Sequence, residues 1–250
     1  MKKKNSLKSG SRCLSPVALV TGASRGLGEQ IVITLAGNGF RIAVNYLHSG
    51  KEAAEVVRRA GGRSLAVAAD VGDSKQVEEM VAQIEDAFGR LDAVINNAGI
   101  TRDNLLIRQT ESEWDEVLST NLRGCFNVIK TAAPLMIKSG GGHIVNISSY
   151  SGVKGKSGQT AYSASKAAVI GLTYAAAAEL SGYNIKVNAL LPGYMPTGMG
   201  VEASDAMEEA RDRSIIKTLS SPAEAAEFVA TLLNTENITG QVFSLDSRII

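Results

Sequence analysis

The chain has 250 residues, 44% of them hydrophobic and 20% charged, which is apolar material for one sizeable core. Its 26 lysines and arginines nearly cancel 25 aspartates and glutamates, so it lacks the electrostatic footprint of a protein that binds nucleic acid or an anionic membrane. Two cysteines (Cys13, Cys125) and two histidines (His48, His143) are too few and too scattered for a disulfide framework or a metal site of the usual kind, so a reducing compartment and no metal are expected.

Residues 1–15 are basic and polar with no apolar stretch behind them, so they read as a disordered extension and not as a secretory signal. No run approaches the ~20 apolar residues of a membrane-spanning helix, and the protein is expected to be soluble and cytoplasmic. From Pro16 onward, short runs rich in valine, isoleucine and alanine read as buried strands: Val17–Thr21, Arg41–Asn45, Ser64–Ala69, Ala93–Asn96, His143–Ile147, Lys186–Leu191 and Val242–Leu245. The segments between them have helical length and apolar spacing, among them Lys51–Ala60, Lys75–Phe88, one long helix Ser112–Ile137, Ala164–Leu180 and the stretch around Ala223–Leu233. Strand followed by helix, repeated, predicts an α/β fold: a doubly wound parallel sheet of about seven strands with helices on both faces, in a single domain over residues 16–250.

The first strand runs into Thr21-Gly22-Ala23-Ser24-Arg25-Gly26-Leu27-Gly28 and then an apolar helix. A strand-to-helix turn without Cβ atoms lets backbone approach a pyrophosphate, and the helix N-terminus adds N–H groups and a positive dipole end. The glycines do not have the GxGxxG spacing, so the turn alone reads equally as a tight connection. Further on, Tyr162 and Lys166 are four residues apart and share a helix face, where an ammonium is expected to lower the phenol's pKa. Ser149 and Asn96-Asn97-Ala98-Gly99 follow predicted strands, at the carboxyl edge where parallel sheets gather ligands. Asn121 falls inside the long helix, where an exposed, idle asparagine is the plain expectation.

Taken together, Thr21-Gly22-xxx-Gly26-x-Gly28, Asp70-Val71, Asn96-Asn97-Ala98-Gly99, Asn121, Ser149, Tyr162-xxx-Lys166 and Pro192-Gly193 resemble the short-chain dehydrogenase/reductases in order and spacing, over about Pro16 to Gly240. The resemblance implies a Rossmann-type fold and a catalytic set of Asn121, Ser149, Tyr162 and Lys166. Tyr162 would protonate the substrate carbonyl as hydride arrives from a nicotinamide. Lys166 would depress the Tyr162 pKa and hold the ribose, Ser149 would hydrogen-bond the substrate oxygen, and Asn121 would bind a relay water through its main-chain carbonyl. The cofactor would lie along Gly22, Ser24, Arg25, Gly26, Leu27, Gly28, Asn45, Tyr46, Asp70, Val71, Asn97 and Gly99, with Pro192, Gly193, Met195 and Thr197 around the nicotinamide.

The second strand ends without the carboxylate that reads an NAD ribose, while Arg25 is placed to meet a 2′-phosphate with help from His48 or Lys51, so NADPH/NADP+ is expected over NADH. Within the family the chain is most similar to the 3-oxoacyl-[acyl-carrier-protein] reductases of fatty acid biosynthesis, through Val44-Asn45-Tyr46, Gly155 to Tyr162 and Ile238-Thr239-Gly240. This implies a 3-oxoacyl thioester as substrate, an acyl carrier protein as possible partner and a homotetramer. The chain departs from that subgroup in three places. Gly140 and Tyr183 stand where basic rim residues are expected, the segment holding Glu202, Asp205, Glu208, Glu209 and Asp212 reads as an acidic lid, and the chain ends Leu245-Asp246-Ser247-Arg248-Ile249-Ile250 in place of a glycine pair. A dehydrogenase of another secondary alcohol and a non-catalytic dinucleotide-binding scaffold remain as alternatives.

Overall fold

The structure, a computed structural model, describes residues 15–61, 64–197 and 204–248, with Ser204 and Asp205 described in backbone only. The expected basic extension therefore lies almost wholly outside the described residues, as do Cys13, Glu202, Ile249 and Ile250.

Seven parallel strands form one sheet in the order β3-β2-β1-β4-β5-β6-β7: β1 (Val17–Val20), β2 (Arg41–Tyr46), β3 (Leu65–Ala68), β4 (Ala93–Asn96), β5 (Gly142–Ile147), β6 (Ile185–Leu191) and β7 (Val242–Ser244). All six pairings are parallel, because each connection carries a helix back across the sheet. The doubly wound expectation holds.

Alternation along each strand divides the core in two. Val17 and Leu19 of β1 face one layer, built with α3 (Ser74–Phe88), α5 (Gly124–Lys138) and α7 (Thr160–Leu180). Ala18 and Val20 face the other, built with α1 (Gly26–Gly37), α2 (Gly50–Arg59) and α9 (Pro222–Leu232). Side chains such as Leu19, Ile31, Ile95 and Ile144 are fully buried, each contributing about 1.5–3 kcal/mol of hydrophobic stabilisation. Local chemistry sets several helix ends. Asp73 caps α3 by accepting from Lys75 N at 2.9 Å, and Gly89 ends it at a φ of +73°.

One expected element is three. The run read as a single helix over Ser112–Ile137 is α4 (Glu111–Leu118), a π-helical turn Ser119–Arg123 and α5, which carries Pro134. A capping box of Thr110 and Glu113 starts α4. The π turn is stabilised by what Asn121 reaches, a long-range contact that apolar periodicity does not register. Among the described residues the remaining α-helices are α6 (Ser151–Lys154) and α8 (Ser204–Arg213).

Candidate active site

The sheet reverses its winding between β1 and β4, and both strands end there in polar residues that stitch the two halves together. Thr21 Oγ1 accepts from the backbone N–H groups of Asn97 and Ala98, both at 3.0 Å. Asn97 Nδ2 returns bonds to Thr21 O at 2.9 Å and Gly22 O at 3.1 Å. Gly22 is required as glycine: its φ is +59°, and a Cβ there would lie 2.8 Å from Ala98 Cα. Gly28 has a packing role, since a Cβ would come 2.6 Å from Asn97 Nδ2 and 2.8 Å from Gly22 O. The crevice opened at this crossing point is the usual ligand site of a doubly wound sheet.

Ser149 lies two residues beyond the end of β5, and Tyr162 and Lys166 stand in the first two turns of α7. Ser148 Oγ donates to Lys166 O at 2.8 Å and so docks α7 against the end of β5. Ser149 and Tyr162 are hydrogen-bonded through their side chains. Burial raises the Tyr162 phenol above its ordinary pKa, the Ser149 hydrogen bond pulls it down, and the Asp103 carboxylate pushes it up again. Lys166 is 4% exposed, and its ammonium donates to Ile147 O at 2.7 Å. Burial brings its pKa down to about 8, with Cys125 acting in the opposite direction. The Lys166 ammonium is turned to Ile147 O and at the same time stands over the Tyr162 ring, 5.7 Å from its centroid, within reach of a cation–π contact.

Asn121 is not exposed and idle; it is 2% exposed. Its Oδ1 accepts from Ile100 N at 2.8 Å, and its Nδ2 donates to Ile100 O and Ser165 Oγ, both at 3.0 Å. The side chain thus ties the π turn to the loop after β4 and to α7. A small cavity of about 10 Å³, the size of one water, lies between Asn121, Thr120, Cys125 and Lys166.

Above these residues opens a cleft of about 480 Å³. Of the positions expected to hold a cofactor, Gly22, Ser24, Arg25, Leu27, Asn45, Asp70, Val71, Asn97, Gly99, Pro192, Gly193, Met195 and Thr197 line it, together with Ser149, Tyr162 and Lys166. Gly26, Gly28 and Tyr46 do not. The Tyr46 ring packs on Gly50, where a Cβ would come 3.3 Å from it, so side-chain alternation along β2 turns Tyr46 to α2 and away from the cleft. Asn45 lines the cleft, but its side chain is structural: Oδ1 accepts from Gly22 N at 3.2 Å and Nδ2 donates to Ala69 O at 3.0 Å. His48 is at the cleft wall and Lys51 is not.

A dinucleotide fits what the residues form. The glycine turn has no room for a Cβ at Gly22, the N-terminus of α1 follows it, and the cleft runs without interruption from Asn45 and Asp70 to Pro192 and Thr197. A family model described as short chain dehydrogenase matches residues 16–208. The chain belongs to the short-chain dehydrogenase/reductase family. Among its relatives, the 3-oxoacyl-[acyl-carrier-protein] reductase FabG of Staphylococcus aureus is 43% identical over 235 residues, 92% of this chain and 96% of that protein. The FabG of Thermotoga maritima is 39% identical over 240 residues, 94% of this chain and 97% of that protein. A crystal structure of levodione reductase superimposes with a TM-score of 0.87 at 33% identity, covering 93% of this chain and 96% of that one. The protein is thus an NAD(P)-dependent oxidoreductase and no mere scaffold.

Three sequence expectations about this oxidoreductase change with the fold. Gly140 and Tyr183 are not on the rim of its own cleft; they precede β5 and β6, where Asn184 Nδ2 donates to Gly140 O at 3.1 Å, at the opposite end of the strands from Ser149. The lid segment is less acidic than its composition, because Glu208 pairs with Arg211 at 3.7 Å and Glu209 with Arg213 at 3.1 Å on the exposed side of α8. The only residue of α8 that lines the cleft, among the described residues, is Ala206. The tail brings Arg248 into the cleft wall. Sequence reasoning also did not single out Asp103, Gln159 or Tyr194, which line the cleft near Tyr162. Gln159 Nε2 donates to Asp103 Oδ2 at 2.9 Å, a contact across 56 positions that no local pattern announces.

Proposed function

We propose that this enzyme reduces a 3-oxoacyl thioester to the 3-hydroxyacyl product with NADPH. The reading is carried by the hydrogen-bonded pair of Ser149 and Tyr162 at the carboxyl edge of β5, in the wall of a cleft shared with the glycine turn. Similarity to FabG proteins over nine-tenths of the chain supports the substrate class. When bound, the dinucleotide supplies the hydride.

The rest is the work of the chain's own residues. Gly22, Ser24 and the first turn of α1 receive the pyrophosphate. Asp70 and Val71 border the adenine, Asn97 and Gly99 the adenosine ribose, and Pro192, Gly193, Met195 and Thr197 the nicotinamide. Arg25, with His48 near it, meets the 2′-phosphate, which is the basis for preferring NADPH. Ser149 donates to the ketone oxygen where negative charge develops. Tyr162 transfers its phenolic proton to that oxygen, a role suited to a phenol that burial keeps protonated. Lys166 holds the nicotinamide ribose. Asn121 holds the water of a proton relay on its main-chain carbonyl, in the small cavity beside Lys166.

A cytoplasmic homotetramer belongs to the same reading, supported by the exposed apolar side chains of Phe126 on α5 and Tyr174 on α7. Among the described residues no helix is long and apolar enough to cross a membrane. A second reading, reduction of another ketone, draws on the fold shared with levodione reductase. The deciding experiment follows oxidation of NADPH, and of NADH in parallel, with 3-oxobutanoyl thioesters of coenzyme A and of acyl carrier protein against cyclic diketones and simple ketones. A kcat/KM for the thioesters well above all other ketones supports the reading; preference for a ketone without an acyl group defeats it. Repeating the assay at low and high salt shows whether the carrier itself is recognised, since steering by charge fades with ionic strength.

A further inference from the structure

The segment after β7 turns back into the cleft. Leu245 N donates to Leu191 O at 2.9 Å, and a Cβ on Gly193 would lie 3.3 Å from Asp246 Cβ, so Asp246 abuts the turn after β6. Ser247 is hydrogen-bonded to the Ser214 hydroxyl and accepts from Ile215 N at 3.3 Å, which joins the tail to the end of α8. Arg248 then lays its guanidinium over the Tyr150 ring, with Cζ 4.0 Å from the ring centroid. Tyr150 is the next residue after Ser149, and Arg248 lines the same cleft as Ser149 and Tyr162.

This arginine is held tightly and yet is not fully used. Its side chain is 13% exposed and that of its partner Asp246 is 6% exposed. Nε donates to Asp246 Oδ2 at 2.8 Å, and Nη2 contacts the same oxygen. Among the described residues Nη1 has no hydrogen-bond partner. The stack on Tyr150 and the bond to Asp246 fix the plane of a guanidinium that lines the cleft, with donors on its open edge.

We propose that Arg248 is a specificity-determining residue that donates from this edge to the acyl carbonyl oxygen of the substrate, two carbons from the ketone held by Ser149 and Tyr162. The assignment rests on the reading of the substrate as a 3-oxoacyl thioester. An isolated ketone leaves the donor unmatched in a desolvated wall, which penalises it relative to a substrate with two carbonyl groups. Asp246 already compensates the arginine's charge, so the pair favours a neutral acyl carbonyl over the carboxylate of a free 3-oxo acid, which would face a second carboxylate across the guanidinium.

Steady-state kinetics on the full chain with saturating NADPH tests this, using the N-acetylcysteamine thioester of 3-oxobutanoate, free 3-oxobutanoate and a methyl ketone of matched length. Arg248→Met, which keeps the bulk, is expected to lose about 10–100-fold in kcat/KM on the thioester, chiefly through KM, and less than about threefold on the methyl ketone. Asp246→Asn is expected to raise activity on the free acid relative to the thioester. Arg248→Lys, which keeps the charge without the planar fork, should fall between parent and Arg248→Met, and carries the same comparison should the methionine variant fail to fold. Equal losses on thioester and ketone, or an unchanged KM for the thioester, would overturn the role of Arg248 alone. A parent enzyme that reduces the methyl ketone but no 3-oxoacyl thioester would overturn the substrate reading and this inference together.

Discussion

The ammonium of Lys166 is bonded to the main-chain carbonyl of Ile147 at 2.7 Å, and through it α7 is locked to the last residue of β5. Burial lowers the lysine pKa to about 8, so the charged form is present below that pH and is lost as pH rises through it. The unfolded chain keeps the same proton to about pH 10.4, so between these values raising the pH should favour the folded enzyme through this group. Dinucleotide binding should run the other way. An ammonium that holds the ribose retains its proton in the complex, so the Kd for NADPH should rise above pH 8, by up to about tenfold per pH unit. Fluorescence titrations from pH 6 to 9.5 check this, with Lys166→Met expected to bind more weakly at neutral pH and to show a flat profile. A flat profile in the parent would remove the ammonium from the ribose.

Tyr162→Phe should lower kcat by about 10²–10⁴-fold while NADPH affinity stays within about twofold, because only the transferable proton is removed. Ser149→Ala should slow the reaction as well. It also removes the hydrogen bond that pulls the phenol down, so the alkaline limb of the kcat profile should move to higher pH. A Tyr162→Phe enzyme retaining half of the parent rate would assign the proton to another group.

Cofactor preference should respond to Arg25 alone. Arg25→Ala is expected to weaken NADPH binding and leave NADH nearly unchanged, since it removes a cation from the 2′-phosphate. Placing a carboxylate at Asn45, the obvious change for NADH, should instead cost stability. Its oxygens would face Val67 O and Ala69 O, to which the amide nitrogen now donates at 3.4 and 3.0 Å. Thermal melts of Asn45→Asp beside Arg25→Ala, with Kd values for both dinucleotides, separate the two effects. Equal parental affinity for the two cofactors would refute the assignment of Arg25.

Asn121→Ala should unfold at a temperature about 5–15 °C lower. It removes three hydrogen bonds, two to Ile100 and one to Ser165, at about 1 kcal/mol each with an added cost for partners left buried. A calorimetric melt measures this, and an unchanged midpoint would mean that the π turn does not depend on the side chain.

What the sequence by itself determined is whatever depends on neighbours along the chain. Short continuous runs of valine, isoleucine and alanine specified seven strands to within a residue or two, the glycine cluster marked the first turn, and the spacing from Tyr162 to Lys166 placed both on one helix face. Tertiary structure alone decided the rest, because those features depend on partners far apart in the chain. The helix expected over Ser112–Ile137 takes a π-helical turn at Asn121, whose side chain is bonded to both Ile100 and Ser165. The Lys166 ammonium finds its hydrogen-bond acceptor in Ile147, 19 residues away, and not in Tyr162 on its own helix. Gly140 lies at the end of the sheet away from its own cleft, while Arg248 in the tail reaches Tyr150 and the cleft. Local propensity carries no information about which end of a strand a connecting loop occupies or where a tail returns; only the winding of the sheet and the packing of its two layers decide that.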